Sequence, residues 1–411
     1  MLKNSIIYLS SSILSKSVPF LLLPIMTSYL SPEEYGYLSI YLMAISLIYA
    51  FVGMNMHVNI SKIFFKVDKE ELATIIGNIF FILFITTLFY TICIFSSSLF
   101  LNDFFSIPIE FFLIIPILNL FMMINELNTT ILRNEERAYM FGIFEVSNTV
   151  FQMGFTILFL IFFMYGWYSQ ISGMIVSGLV FFIIGLIYMK KRKYISLIIK
   201  IDKIKSILSI SVPMIPHILA TLILGLSDRL FIEKMVSMEA VGLYSVGYMF
   251  GMVIALFTDA FMKAWSPWFY KNLTEPTDSK KEKIVKYTYM YILGTFILAI
   301  IISILSKFIF PFFVDEKFYG AEEFILWIAI GYAIQGIYKI FFPYLVHISK
   351  TYFLSVSTVI AALLNLVFNY FFIKEYGTIG AAYATILSFA VSSFMVFWFQ
   401  NKYYKMPWSL K

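Results

Sequence analysis

The sequence predicts an all-α integral membrane protein with twelve transmembrane helices in two pseudo-symmetric six-helix bundles. Three observations carry that expectation. The 411-residue chain is 61% hydrophobic and only 13% charged, with mean hydropathy +0.87, whereas soluble domains are about 25% charged. Twelve apolar stretches are each long enough to cross roughly 30 Å of hydrocarbon: 5–30, 37–57, 74–101, 108–130, 140–164, 170–189, 207–232, 241–263, 287–313, 323–345, 352–373 and 379–400. Finally, short motifs of the first six stretches recur, in order, in the last six.

The first stretch is interrupted by Lys16, has no A-x-A-type site after it and is followed almost at once by the second. It is therefore expected to stay as a span rather than act as a cleaved signal. Ser5, Tyr8, Ser12, Lys16, Pro19 and Thr27 share one side of it. Lys16 lies roughly 16 Å from either end, which is far for snorkelling. It either lines a cavity or sits in a buried ion pair. In the fifth span Glu145, Asn148, Gln152 and Thr156 align.

The seventh span is the most unusual. It holds Pro213 and Pro216, then His217, then Asp228 and Arg229. Each charge near the bilayer centre costs roughly 2.5–3.5 kcal/mol on insertion scales. His217, Thr221, Gly225 and Asp228 follow i, i+4, i+8 and i+11 spacing and form one stripe. Arg229 lies about 100° round a continuous helix from Asp228, so the two are not expected to pair with each other. The stripe either lines a cavity or meets solvent at the outer boundary. In the eighth span Asp259 and Lys263 have the i, i+4 spacing of a helical ion pair. In the tenth, Lys339 lies about 9 Å from the nearer end and either snorkels or lines the same cavity. In the eleventh, Thr358, Ala362, Asn365 and Asn369 align; amides at such positions also glue helices together.

Lysine and arginine set the orientation. With a cytoplasmic N-terminus, 23 cations fall toward the cytoplasmic side, in loops or at span ends, and 4 toward the other, leaving Lys16, Arg229 and Lys339 apart within spans. Both termini are then cytoplasmic, and the net charge of +6 reads as an orientation signal with no need of nucleic acid. The longest loops, 190–206 and 264–286, fall on the cytoplasmic side. Short outer loops argue against a surface-polysaccharide polymerase or ligase with a large outer catalytic loop. No G-x-x-x-x-G-K-[ST] run occurs, which excludes ATP as the direct energy source. Cys93 is the single cysteine, and His57, His217 and His347 are far apart. Neither an intrachain disulfide nor a metal-ligand spacing is present, and no cofactor is expected.

The repeat defines the domains. Ser17-Val18-Pro19 recurs as Ser211-Val212-Pro213, Glu34-Tyr-Gly-Tyr-Leu-Ser-Ile-Tyr41 as Ala240-Val-Gly-Leu-Tyr-Ser-Val-Gly-Tyr248, and Tyr165-Gly166 as Tyr376-Gly377. Residues 1–189 and 207–411 are expected to be two bundles of one topology, joined by a basic cytoplasmic linker at 190–206. Two parallel halves make a transporter architecture with the path between them.

The motifs Leu23-Pro24 with Tyr29-Leu-Ser-Pro-Glu-Glu-Tyr-Gly36, Ser211-Val-Pro with Ser227-Asp-Arg and Val241-Gly-Leu-Tyr244, and Tyr376-Gly-Thr-Ile-Gly-Ala-Ala-Tyr-Ala-Thr385 resemble bacterial polysaccharide-unit flippases. These belong to the multidrug/oligosaccharidyl-lipid/polysaccharide exporter superfamily. The likeness covers nearly the whole chain. It implies a V-shaped pair of bundles in the bacterial cytoplasmic membrane. The implied cargo is an undecaprenyl-diphosphate-linked oligosaccharide of the kind used for O-antigen, lipopolysaccharide or capsule. Implied partners are the glycosyltransferases and polymerase of the same pathway. Cationic cavity residues are a feature of such flippases, and Lys16 and Arg229 match best, with Lys339, His217 and Asp228 beside them. Glu145 and Asp259 are the expected carriers if a proton or sodium ion is coupled. The competing expectation is ion-coupled efflux of cationic drugs, whose transporters tend to have acidic cavities. No enzyme activity is expected.

Overall fold

The structure is a computed structural model. It describes residues 2–97, 107–274 and 277–409, the side chains of residues 2–6, 9 and 16 excepted. The Lys16 side chain and residues 98–101 of the third expected span lie outside the described residues. Among the described residues sixteen α-helices follow one another: α1 Leu2–Tyr29, α2 Pro32–Val52, α3 His57–Ile63, α4 Lys69–Ser96, α5 Ile109–Asn134, α6 Ala138–Ile161, α7 Tyr168–Lys191, α8 Ile201–Ser211, α9 Ile215–Leu226, α10 Asp228–Met235, α11 Met238–Gly251, α12 Val253–Thr274, α13 Asp278–Phe313, α14 Glu322–His347, α15 Tyr352–Tyr376 and α16 Ile379–Tyr403. No strand occurs among the described residues. Eleven of the described helical stretches are long and apolar enough to cross a membrane, and α1 is a further helix of 28 residues.

Helix starts follow ordinary capping chemistry. Asp68 accepts from Glu71 N at 2.8 Å before α4, Ser237 from Ala240 N at 3.1 Å before α11, and Thr277 from Lys280 N at 3.3 Å before α13; each supplies an acceptor to an orphan N–H of a first turn. The Thr277 cap corrects one expectation. Residues 264–286 are not a long loop, because α12 runs to Thr274 and α13 starts at Asp278. Charged residues extend both helices past the apolar span.

The chain forms two compact units. One comprises Met1–Leu30 and Tyr37–Leu219, the other Ser31–Gly36 and Ala220–Lys411. The division falls inside α9, not in 190–206. Residues 190–206 belong to the first unit, where Ser196 N donates to Ala73 O at 3.2 Å and Lys200 N to Asn78 Oδ1 at 2.9 Å. One core cluster of this unit is aliphatic, gathered around Met56, Ile60, Ile76, Ile79, Leu127 and Ile131, and a smaller one holds Phe141, Phe144 and Phe181. The second unit has an aromatic core that includes Trp265, Phe269, Phe341 and Tyr344, with the Phe269 and Tyr344 rings edge to face at 4.6 Å.

The two Gly-Tyr repeat motifs meet inside the second unit. A side chain at Gly242 would place its Cβ 1.8 Å from Pro32 O, and one at Gly36 would place it 2.1 Å from Met238 O. The first turns of α2 and α11 therefore cross backbone to backbone, an approach only glycine permits. Tyr35 follows into this unit, its ring 5.8 Å from that of Phe318 and its hydroxyl 3.1 Å from Met249 Sδ.

Candidate functional site in the second unit

The expected seventh span is four pieces: α8, a 3₁₀ turn at Val212–Met214, α9 and α10. Pro213 lies in the 3₁₀ turn and Pro216 in the first turn of α9, where a missing N–H costs no helical hydrogen bond. Ser227 separates α9 from α10. It donates to Asn365 Oδ1 at 3.1 Å, and Asn365 also accepts from Asn369 at 3.0 Å and donates to Ser388 Oγ at 3.2 Å. The asparagine stripe of α15 thus ties the break in span seven to α15 and α16.

Asp228 and Arg229 follow the break, 1% and 6% exposed. Contrary to the helical-wheel expectation, they pair. Arg229 NH1 donates to Asp228 Oδ1 at 2.7 Å and to Gly225 O at 2.9 Å, and Arg229 N donates to Asp228 Oδ1 at 2.9 Å. The 100° separation describes Cα directions and leaves out the reach of a long side chain. The long arginine side chain folds back toward Gly225, four residues before it, and its guanidinium comes to lie against the preceding carboxylate.

Tyrosines complete the surroundings. Tyr244 donates to Asp228 Oδ2 at 2.8 Å. The Arg229 guanidinium lies 4.4 Å from the centre of the Tyr248 ring and 5.9 Å from that of Tyr244. The Tyr248 and Tyr332 hydroxyls are 2.8 Å apart. The carboxylate is satisfied by charge-assisted hydrogen bonds and the cation by its counter-ion and ring faces, the conditions for burying both charges. Tyr244 and Tyr248 were visible in the repeat motif and share a face by their i, i+4 spacing. Tyr332 carried no sequence signal, because only the packing of α14 on α11 brings it there.

The remaining candidates are distributed. Lys339 on α14 donates to Asp259 Oδ1 at 2.6 Å and Thr258 Oγ1 at 3.0 Å. Asp259 therefore pairs across to α14, not along its own helix with Lys263, which is exposed. His217 is half-buried and Thr221 exposed, so their stripe does not share the environment of buried Asp228. Glu145 on α6 is half-buried and belongs to the first unit.

The first unit has polar chemistry of its own. Glu126 accepts from the Tyr49 hydroxyl at 2.7 Å and faces His57 Nε2 at 3.5 Å. Just past the end of α5, Glu135 accepts from Tyr188, from Tyr194 at 2.7 Å and from Arg192 at 3.1 Å, with Arg137 at 3.3 Å. Burial pushes the Glu135 carboxyl up, but the two tyrosine hydroxyls and the two guanidiniums outweigh it and hold it below its ordinary value. Among the described residues no group of three or more His, Cys, Asp or Glu side chains is placed to hold a metal ion.

Comparisons with known proteins place this architecture. Residues 1–273 match the family described as polysaccharide biosynthesis protein, and residues 213–371 match the MatE family. A protein of the Lsg locus of Haemophilus influenzae is 26% identical over 375 residues, covering 88% of each chain. Among solved structures, the inward-facing conformation of a multidrug resistance MATE family transporter of the MOP superfamily superposes with TM-score 0.72 at 13% identity, covering 94% of each chain. The lipid II flippase MurJ in an inward closed conformation superposes with TM-score 0.69 at 15% identity, covering 97% of this chain and 87% of that one. These likenesses establish the expected fold of two pseudo-symmetric helical bundles. The chain belongs to the polysaccharide biosynthesis protein family; it is a multi-pass membrane protein with the fold seen in MOP-superfamily transporters.

Proposed function

We propose that the protein flips a lipid-linked oligosaccharide, the sugar carried on undecaprenyl diphosphate, from the inner to the outer leaflet of the bacterial cytoplasmic membrane. The observation that carries this reading is the family match over residues 1–273, which spans the first unit and runs on through the broken seventh span and its buried Asp228–Arg229 pair. The physical need is plain. A diphosphate and a string of hydroxyls cannot cross hydrocarbon unaided, since each buried charge or unpaired polar group costs several kcal/mol. Alternating access would pass the polar head through the protein while the polyprenyl tail stays in lipid. Moving about two negative charges outward across 100 mV yields on the order of 4–5 kcal/mol.

Within this reading the cations divide into two roles. Lys16 and Lys339 are the groups that would meet phosphate, Lys as a point charge. Arg229 is held by Asp228 and clamped by tyrosines, so it shapes the broken span and offers the head group at most one edge of its fork. His217 flanks the same segment. Glu145 and Asp259 would carry a coupled proton or sodium ion, Asp259 by releasing Lys339. With both termini cytoplasmic, the basic ends of the helices face the compartment where glycosyltransferases assemble the cargo.

The second reading, efflux of cationic drugs, is favoured by the match of residues 213–371 to the MatE family. Two measurements separate them. Loss of the protein should leave lipid-linked oligosaccharide assembled, shielded from an enzyme added outside, with surface polymer gone and dye sensitivity unchanged. Retained polymer with hypersensitivity to cationic dyes would replace the flippase reading by efflux. Orientation is checked separately in a Cys93→Ser background: labelling of a cysteine at 195–205 by an impermeant reagent from outside intact cells would overturn it.

A further inference from the structure

The segment between α7 and α8 is held in an unusual way. Tyr194 is buried, with its hydroxyl on Glu135. From there the chain runs without helix across α4. Ser196 N donates to Ala73 O at 3.2 Å, buried Asn78 donates to Ile198 O at 3.1 Å, and Lys200 N donates to Asn78 Oδ1 at 2.9 Å. A Cβ at Gly77 would lie 1.8 Å from Ser196 O, so the strap lies directly on the α4 backbone. On α8 itself, Lys203 pairs with Glu71 of α4. One side of the strap is thus consumed by polar contacts to α4.

The other side is apolar and open. Leu197 is 93% exposed, Ile198 59%, Ile199 53% and Ile201 69%. Beside these stand Lys190, Lys191, Lys193, Lys200 and Lys205, all exposed, and the single acid of 190–206 is Asp202. Its height is fixed by α4: the contacts at Ala73 and Asn78 flank the start of the apolar stretch at residue 74, within roughly 6 Å of it. That is close to the depth at which interfacial segments bury their apolar face. The charge is that of a surface complementary to anionic lipid.

We infer that residues 194–205 form an interfacial anchor that inserts Leu197, Ile198, Ile199 and Ile201 at the acyl boundary and binds anionic phospholipid head groups through the flanking lysines. The segment is then a lipid-reading element of the first unit rather than a solvated connector, whatever the cargo. It fixes α8, and with it the start of the broken span, to the membrane surface.

The test uses the full chain in nanodiscs, with Cys93→Ser and an environment-sensitive fluorophore on Leu197→Cys or Ile199→Cys. The discs contain phosphatidylcholine alone or with added phosphatidylglycerol, each with a lipid bearing a quencher near the head group. Strong quenching is expected at both positions. It should be at least about twofold greater with phosphatidylglycerol, and high salt should remove the excess. Combined Lys190, Lys191, Lys193 and Lys200→Gln should bring the value down to that in phosphatidylcholine while leaving the thermal midpoint unchanged. Absent quenching in both lipids, equal quenching in the two, or an excess that survives the glutamine substitutions each overturns the inference. None of these readouts involves transport, so failure of the flippase reading leaves them unaffected.

Discussion

The motif Ser-Val-Pro occurs at residues 17–19 and again at 211–213, and the two copies have opposite fates. In α1 the helix runs unbroken for 28 residues through Pro19 and Pro24, and Ser17 donates back to Ile13 O at 2.8 Å within its own helix. In span seven the helix tightens into a 3₁₀ turn at Val212–Met214, and the Ser211 hydroxyl accepts from Asn59 of α3 at 2.9 Å. A break follows at Ser227, where Asn365 takes the hydroxyl. The polar partners on neighbouring helices take up side-chain hydroxyls that would otherwise face hydrocarbon. The two units also differ in where charge resides. Among the described residues, the first unit has acid–base contacts toward helix ends, as at Glu126 and Glu135. The second buries Asp228 and Arg229 together at a break.

The sharpest way to break this comparison is to remove one member of the buried pair. Asp228→Ala leaves the guanidinium buried and unpaired and is expected to cost about 3–5 kcal/mol. The readout is thermal stability of the purified protein and its level in the membrane. Asp228→Asn with Arg229→Gln should recover a good part of the loss, since neither charge then needs a partner. Wild-type stability for the single variant would place the pair in water and end the contrast.

Asn365→Ala comes next. It strips Ser227, Asn369 and Ser388 of one partner, and a buried polar group left unsatisfied costs about 1–3 kcal/mol. Asn365→Ala should lower the melting midpoint clearly, whereas Ser17→Ala in the unbroken copy should change it little, because that hydroxyl serves only its own helix.

Glu135 tests the first unit by pH. Its carboxyl lies below the ordinary 4.5 in the folded protein. Its contribution is therefore fully present above that value and lost as pH falls through the lowered folded value. Melting midpoints measured downward from neutrality should stay flat until the ordinary carboxylate range and then fall. Glu135→Gln should flatten part of that acid limb, and an unchanged limb would show that the cluster contributes nothing to it.

The smallest effect is expected at Lys339. Its partner Asp259 has a side chain 54% exposed, and accessible ion pairs contribute about 0–1 kcal/mol. Lys339→Gln should hardly move the melting midpoint. If Lys339 meets the cargo, the same variant lowers transport of a lipid-linked diphosphate at undiminished protein level. Unaltered transport would make the pair a structural contact alone.

Composition and span length were sufficient for the helical membrane fold, because a chain that must satisfy every backbone group inside hydrocarbon has few alternatives to helices. The repeat motifs pointed to the glycines at 36 and 242, whose crossing requires the absence of a side chain. Asp228, Arg229 and the α15 asparagines stood out as polar residues in apolar stretches. Their partners did not. The pairing of adjacent residues 228 and 229, of Asp259 with Lys339, and of Tyr332 with Tyr248 depends on how far a side chain reaches and which helix packs beside it. Helical spacing describes one regular helix and contains neither. The run at 190–206 read as a linker for the same reason: its charges were visible, but the seat on Gly77 and Asn78 exists only once α4 is folded against it. The sequence by itself determined that these charges lie within or beside the membrane, since composition sets the solvent a segment requires. Only the tertiary structure decided which of them neutralise one another, because that is a matter of a few ångströms between residues far apart in the chain.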